Sequence, residues 1–400
     1  MRFIPLAVAL CISATASAQD SRLRDLHATL VTLHSHAAQA TMETFGARPE
    51  LSVAKHQLRD WIETQLGSLK DYDGAKALSN QMNAALKPVE VRDPDDSQNL
   101  LGSLGEVRLS SEWGLLIVTT AVGIICQYDE SAYGYKRVND HWQRIWESEQ
   151  NDYSSKKYAP QFVVAVHVWQ AFNHGREDGP MFVMTLGHAW GCASWWHPVY
   201  YRVWRVDSSG SKLLLDRSEE AWMRTNTYVV GSIGRDLREE HASVDVLIEF
   251  TERSIDTGVH NREAIRHFLI DGDQVRRVDP VALSPRDFVD EWLTRPWNES
   301  AEWSASPTLR QWRRKLNADV AANFDATMHC QTPDLWQVAL EAYNVQNDLA
   351  PESERYFLVR WRPPYHFTMM NISDKPFARC DQNDPEADQW RTLFSNQEWR

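Results

Sequence analysis

The sequence predicts a mainly β protein with an N-terminal helical segment, its strands grouped into repeated four-stranded units in a β-propeller-like arrangement, with stacked β-sandwiches as the alternative. Three observations carry this. Apolar residues keep a helical period as far as Leu86 and then give way to short runs rich in Val, Ile, Tyr and Trp. Hairpin turns recur near Asn139, Ser208 and Gly272, roughly 65 residues apart, a spacing that reads as an internal repeat. Many strands are apolar on both faces, as middle strands covered above and below must be.

Residues 1–18, MRFIPLAVALCISATASA, have Arg2 as their one charge, an apolar stretch from Ile4 to Ile12, and Ala16 and Ala18 before Gln19. This is the pattern of a secretory signal peptide, so the product is expected to be secreted or periplasmic. Leu10 stands where a lipoprotein anchor at Cys11 would need a small residue. Residues 19–92 read as a helical segment: Leu23, Leu26, Leu30 and Leu33 share a face, as do Leu58, Trp61, Ile62, Leu66 and Leu69, and then Ala75, Leu78, Met82 and Leu86.

The polar run from Asp93 to Asn99 marks the boundary to a β-rich repeat domain over 93–400. Each of its first three units holds two strands ahead of a hairpin. They start at Gly105 and Leu115, at Gln161 and Met181, and at Thr227 and Val244. A fourth, degenerate unit is expected from Ala326 to Ser373. Short helices around 284–316 interrupt the series, since SPRDFVDEWL and SPTLRQWRRKL both begin with an N-cap Ser followed by Pro.

With 55 acidic against 42 basic residues and a net charge of −13, nucleic acid and anionic membrane are unsuitable partners. The apolar run from Leu115 to Cys126 is too short to span about 30 Å of hydrocarbon as a helix, so no transmembrane segment is expected in the mature chain.

The stretch GHAWGCASWWHPVYYRVWRV, residues 187–206, concentrates the aromatic side chains of a chain that has 18 Trp against 13 Phe. His188, Cys192 and His197 lack the spacing of a zinc site, and His34 and His36 diverge on a helix. Ser194 lacks the glycine frame of a nucleophile elbow. No metal or cofactor is expected. Trp190, Trp195, Trp196 and Tyr200 are the candidate ligand contacts of an exported, non-catalytic binding or interaction protein that would hold a peptide, glycan or protein. The alternative is a secreted hydrolase acting on glycans through a carboxylate pair, for which Asp216, Glu219, Glu220, Glu239, Glu240 and Asp245 are candidates. Of the cysteines, Cys330 and Cys380 are expected to form a disulfide; Cys126 and Cys192 stay open between a bond and two thiols.

Overall fold

The computed structural model describes residues 6–36, 49–92, 99–151, 162–171, 179–188, 196–207, 210–222, 230–235, 243–252, 254–255, 262–316, 320–344, 351–363, 366–380 and 382–383. The chain divides into two compact units, Met1–Glu219 and Glu220–Arg400. The fold is mainly β, and among the described residues the strands follow one another in four four-stranded antiparallel meanders.

In the first unit three helices, α1 (Leu6–Ser35), α2 (Pro49–Leu66) and α3 (Ala75–Leu86), precede a sheet of β1 (Arg108–Glu112), β2 (Leu115–Ile124), β3 (Gln127–Val138) and β4 (His141–Ser148) in that order. The periodic leucines are the reason the helices dock. Leu26, Leu30 and Leu33 of α1 and Leu51, Leu58 and Ile62 of α2 are buried in one cluster with Leu116, Val118, Val122, Tyr133 and Tyr135 of the sheet. The helical segment therefore shares its core with the first sheet. Where the chain crosses from helix to sheet it passes very close to its neighbours. A Cβ on Gly123 would stand 1.9 Å from the Leu100 carbonyl oxygen, so only glycine fits there.

Alternation along β2 explains its unbroken apolar sequence. Leu116 and Val118 face the helices, whereas Leu115 and Ile117 pack with Val168, Met181, Val183, Trp204 and Val206 of the next sheet. That second sheet consists of β5 (Phe162–Gln170), β6 (Met181–His188), β7 (Trp196–Asp207) and β8 (Gly210–Trp222) in sequential order. Trp146 and Trp204 meet edge to face between the two sheets, with ring centroids 5.3 Å apart.

The second unit begins its sheets with β9 (Val230–Arg235), β10 (Val244–Glu252), β11 (Arg262–Asp271) and β12 (Gln274–Arg277). Three short helices follow: α4 (Pro285–Thr294), α5 (Trp297–Ser300) and α6 (Leu309–Leu316). Ser284 caps α4 by accepting from the Asp287 N–H, with Pro285 in the first turn as its sequence implied. The last sheet holds β13 (Val320–His329), β14 (Leu335–Asn344), β15 (Pro351–Arg362) and β16 (His366–Ser373), and the short β17 (Gln382–Asn383) pairs with β13. Phe288, Val289 and Trp292 of α4 pack on Val338, Leu340, Phe357, Val359 and Met369 of that sheet.

Cys330 and Cys380 are joined in a disulfide, which ties the segment after β16 to the end of β13. Cys126 is also disulfide-bonded. Cys192 lies outside the described residues. Among those residues no helix is long and apolar enough to cross a membrane.

Candidate functional site

The aromatic stretch divides into a part that the sheet absorbs and a part outside the described residues. Gly187 and His188 end β6, while Trp190, Cys192, Ser194 and Trp195 lie in the undescribed 189–195; of Trp196 only the backbone, opening β7, is described. Tyr200 is 8% exposed, with the Arg202 guanidinium 6.0 Å from its ring centre. Burial raises its phenol pKa, against a hydrogen bond from Ser218. Tyr200 is therefore enclosed rather than presented as an open face, because alternation in β7 sends both tyrosines into packed surroundings; its neighbour Tyr201 is buried and donates to Glu219.

His188 and His197 are both buried, and His188 lies directly opposite Val199, two residues beyond His197. Burial, aided by repulsion from His197, lowers the His188 pKa to about 4, so its ring is neutral at physiological pH. Among the described residues no group of three His, Cys, Asp or Glu side chains is placed to hold a metal ion. His34 serves the fold, its Nδ1 lying 2.7 Å from the Leu101 carbonyl.

The acidic candidates are dispersed. Asp216 pairs with Arg202 at 2.8 Å, Glu219 accepts from Tyr201, and Asp245 bonds His267 at 2.8 Å. Glu239 and Glu240 lie outside the described residues, as does the side chain of Glu220.

The structure adds three features that the sequence pattern did not single out. The first is the polar triplet Asp129, Glu130 and Ser131 within the otherwise apolar interior of β3. Asp129 faces the helices and bonds Lys55 at 2.9 Å, with both side chains buried. Glu130 faces the opposite way and accepts from the Val163 N–H at 3.0 Å, with Arg108 at 3.4 Å. Burial outweighs both partners and pushes its pKa up to about 7. Three consecutive polar residues in a strand buried on both faces were the available signal.

The second is a cluster of charges beneath α4. The buried Glu291 accepts from Arg262 at 2.6 Å, Arg266 at 3.3 Å and Arg277 at 2.5 Å, and forms an ion pair with Arg295 at 2.9 Å. Glu252 binds Arg262, Arg266 and Arg295, while Asp290 accepts from the Ser254 hydroxyl at 2.5 Å and lies 3.5 Å from Arg262. The four guanidiniums hold Glu291 well below the usual carboxylate range against the opposing effect of burial. With Glu299 counted, four carboxylates balance four guanidiniums. Such a charge-balanced network of ion pairs locks α4 to β10, β11 and β12.

The third feature is an aromatic pair at the surface. Trp113, 38% exposed, sits in the β1–β2 turn with its ring 5.0 Å from that of Trp169 at the end of β5. Its φ of 50° is in the left-handed region, which costs a bulky residue about 1–3 kcal/mol.

Comparison with protein-family models and with curated proteins finds no match. Among solved structures, the chain is similar to one described as a complex of BT0996 and RGII, with 10% identity over 73% of this chain and 81% of that one and a TM-score of 0.25. It is also similar to "Bacteroides ovatus Xyloglucan PUL GH43B" at 8% identity, over 68% of this chain and 45% of that one, with a TM-score of 0.21. A third, described as "Glycoside hydrolase", shows 11% identity over 76% and 98% of the two chains with a TM-score of 0.24. Scores of this size do not amount to a shared fold.

Proposed function

We propose that this is an exported, non-catalytic binding protein that presents aromatic side chains from a rigid β scaffold to a glycan, peptide or protein ligand. The supporting observation is where its Trp-rich connection is rooted: the segment carrying Trp190 and Trp195, with Trp196 beside it, springs from β6 and β7, whose flanking residues Leu186, His188, His197, Val199 and Tyr201 are all buried. Binding residues belong on connections that a fixed framework positions. In this reading Trp190, Trp195 and Trp196 contact the ligand and Tyr200 supports them from within the sheet. The four meanders in series are propeller-like blades, and the disulfides suit a secreted or periplasmic location.

The test is a calorimetric screen of the mature protein against oligosaccharides and peptides, with a broad hydrolase panel in parallel. Saturable binding that a triple Trp190→Ala, Trp195→Ala, Trp196→Ala variant loses is the expected result. Turnover of any panel substrate would refute the non-catalytic reading.

A further inference from the structure

At the other end of the second sheet from the Trp-rich connection, Trp113 meets Trp169, and neither its turn nor the core calls for a Trp at position 113. The turn does not require Trp113. Its φ of 50° is followed by 71° at Gly114, the pattern of a two-residue hairpin turn that suits Asn, Asp or Gly. The β3–β4 turn of the same sheet has that conformation, with φ of 49° and 65°, and carries Asn139 and Asp140. Nor does the core require it, because Trp113 is 38% exposed and is absent from the buried clusters on either face of the sheet. A large aromatic ring is thus held at the surface in a backbone conformation that disfavours it.

What it meets there narrows the use. Trp113 and Trp169 are inclined at 66°, edge to face, with centroids 5.0 Å apart. In register, Trp169 lies opposite Phe182 and Phe182 opposite Arg205, so the three form one row across β5, β6 and β7. Arg205 is 3.4 Å from Asp207, and both side chains are partly exposed, at 27% and 34%. The row therefore runs from the partly exposed indoles, across the buried Phe182, to the partly exposed ion pair of Arg205 and Asp207. This combination fits a molecule with an apolar C–H face and hydroxyls at its rim. The negative π face of an indole attracts the C–H bonds on one side of a sugar ring, while carboxylate and guanidinium groups bind hydroxyls. The chain's net charge of −13 disfavours a polyanionic saccharide.

We propose that Trp113 and Trp169 form a stacking subsite for a neutral oligosaccharide, with Arg205 and Asp207 binding its hydroxyls. The proposal rests on the reading of the protein as a ligand-binding one and adds a second place and a ligand class to it.

The experiment is isothermal titration of the full mature chain with neutral gluco-, xylo- and manno-oligosaccharides and, separately, with a peptide panel. It compares the wild type, Trp113→Asn, Trp169→Phe and the triple Trp190, Trp195, Trp196 alanine variant, with a thermal melt of each. Asn suits the turn, so Trp113→Asn is expected to keep or raise Tm while weakening oligosaccharide binding roughly tenfold or more, the loss typical of an aromatic anchor. Trp169→Phe is expected to weaken binding less. Oligosaccharide binding unchanged in Trp113→Asn overturns the subsite; if the triple variant then loses it, the binding-protein reading stands and the ligand belongs to the other end of the sheet. A lowered Tm with unchanged affinity assigns Trp113 to packing and overturns the subsite as well. Binding of peptides alone overturns the ligand class but not the binding reading, and binding of neither panel defeats both.

Discussion

The first sheet and the sheet of β9–β12 solve the same problem with different chemistry. In the first, β2 is covered on both faces by apolar side chains, Leu116 and Val118 toward the helices and Leu115 and Ile117 toward the second sheet. In the other, the face of β10 and β11 that carries Ile248 and Phe250 also carries Glu252, Arg262 and Arg266, which meet α4 through Glu291 and Asp290. Apolar burial is non-directional and tolerates small changes of angle. A charge network holds only when every member is paired, so it fixes one position of α4 and fails when one member is lost. Cohesion in the first region is spread over many contacts, and in the second it is concentrated in a few groups.

The largest expected effect tests that concentration. Glu291→Ala leaves three buried guanidiniums and the partly exposed Arg295 short of a carboxylate and should cost about 4–5 kcal/mol, read from urea unfolding of the full chain. A loss below about 1 kcal/mol would mean that water or other acids satisfy the arginines. Next, Cys380→Ser removes the crosslink to Cys330, whose sequence separation is 50. It should cost about 4 kcal/mol in the chain-entropy model, seen as a lower urea midpoint. Non-reducing peptide mapping should place Cys330 and Cys380 in one crosslinked peptide and should identify the partner of Cys126.

Leu116→Ala in the first sheet should cost about 3 kcal/mol, with the apolar surroundings partly closing on the void. A cost well above that of Glu291→Ala would invert the comparison.

The smallest effect concerns pH. Glu130 has a folded pKa of about 7 against 4.5 for the free group, so its contribution to stability falls as pH rises from 4.5 to 7. His188 has a folded pKa of about 4 against 6.5, so its contribution falls as pH drops from 6.5 to 4. The two oppose each other between 4.5 and 6.5. Relative to the wild type, Glu130→Gln should gain stability with rising pH over this window, and His188→Gln should lose it. Parallel Tm profiles for the three proteins would show that neither group titrates as its surroundings imply.

Much of the fold was legible because its signals are local. The N-cap of α4 sits in Ser284-Pro285, the Asn139-Asp140 turn is written in two residues, and the run from Leu115 announces a strand buried on both faces. The stretch read as a degenerate fourth unit forms a complete four-stranded meander with β17 added. What the sequence concealed depends on distant partners. Arg262 and Arg266 look like the charged residues of a solvated strand until Glu291 is brought to them from a helix 29 and 25 residues away. Tyr200 looked available because aromatic content does not say which residues a second layer covers. Trp113 offered a readable signal, a Trp-Gly pair in a hairpin turn, and its surface partner Trp169 is 56 residues further on.

The fate of a bound ligand tests the binding function most directly. Mature protein, saturated with whichever oligosaccharide or peptide binds it in the calorimetric screen and held overnight at neutral pH, should release that ligand with its mass unchanged. Shortened products in the mass spectrum, absent from a sample without protein, would contradict a binding function.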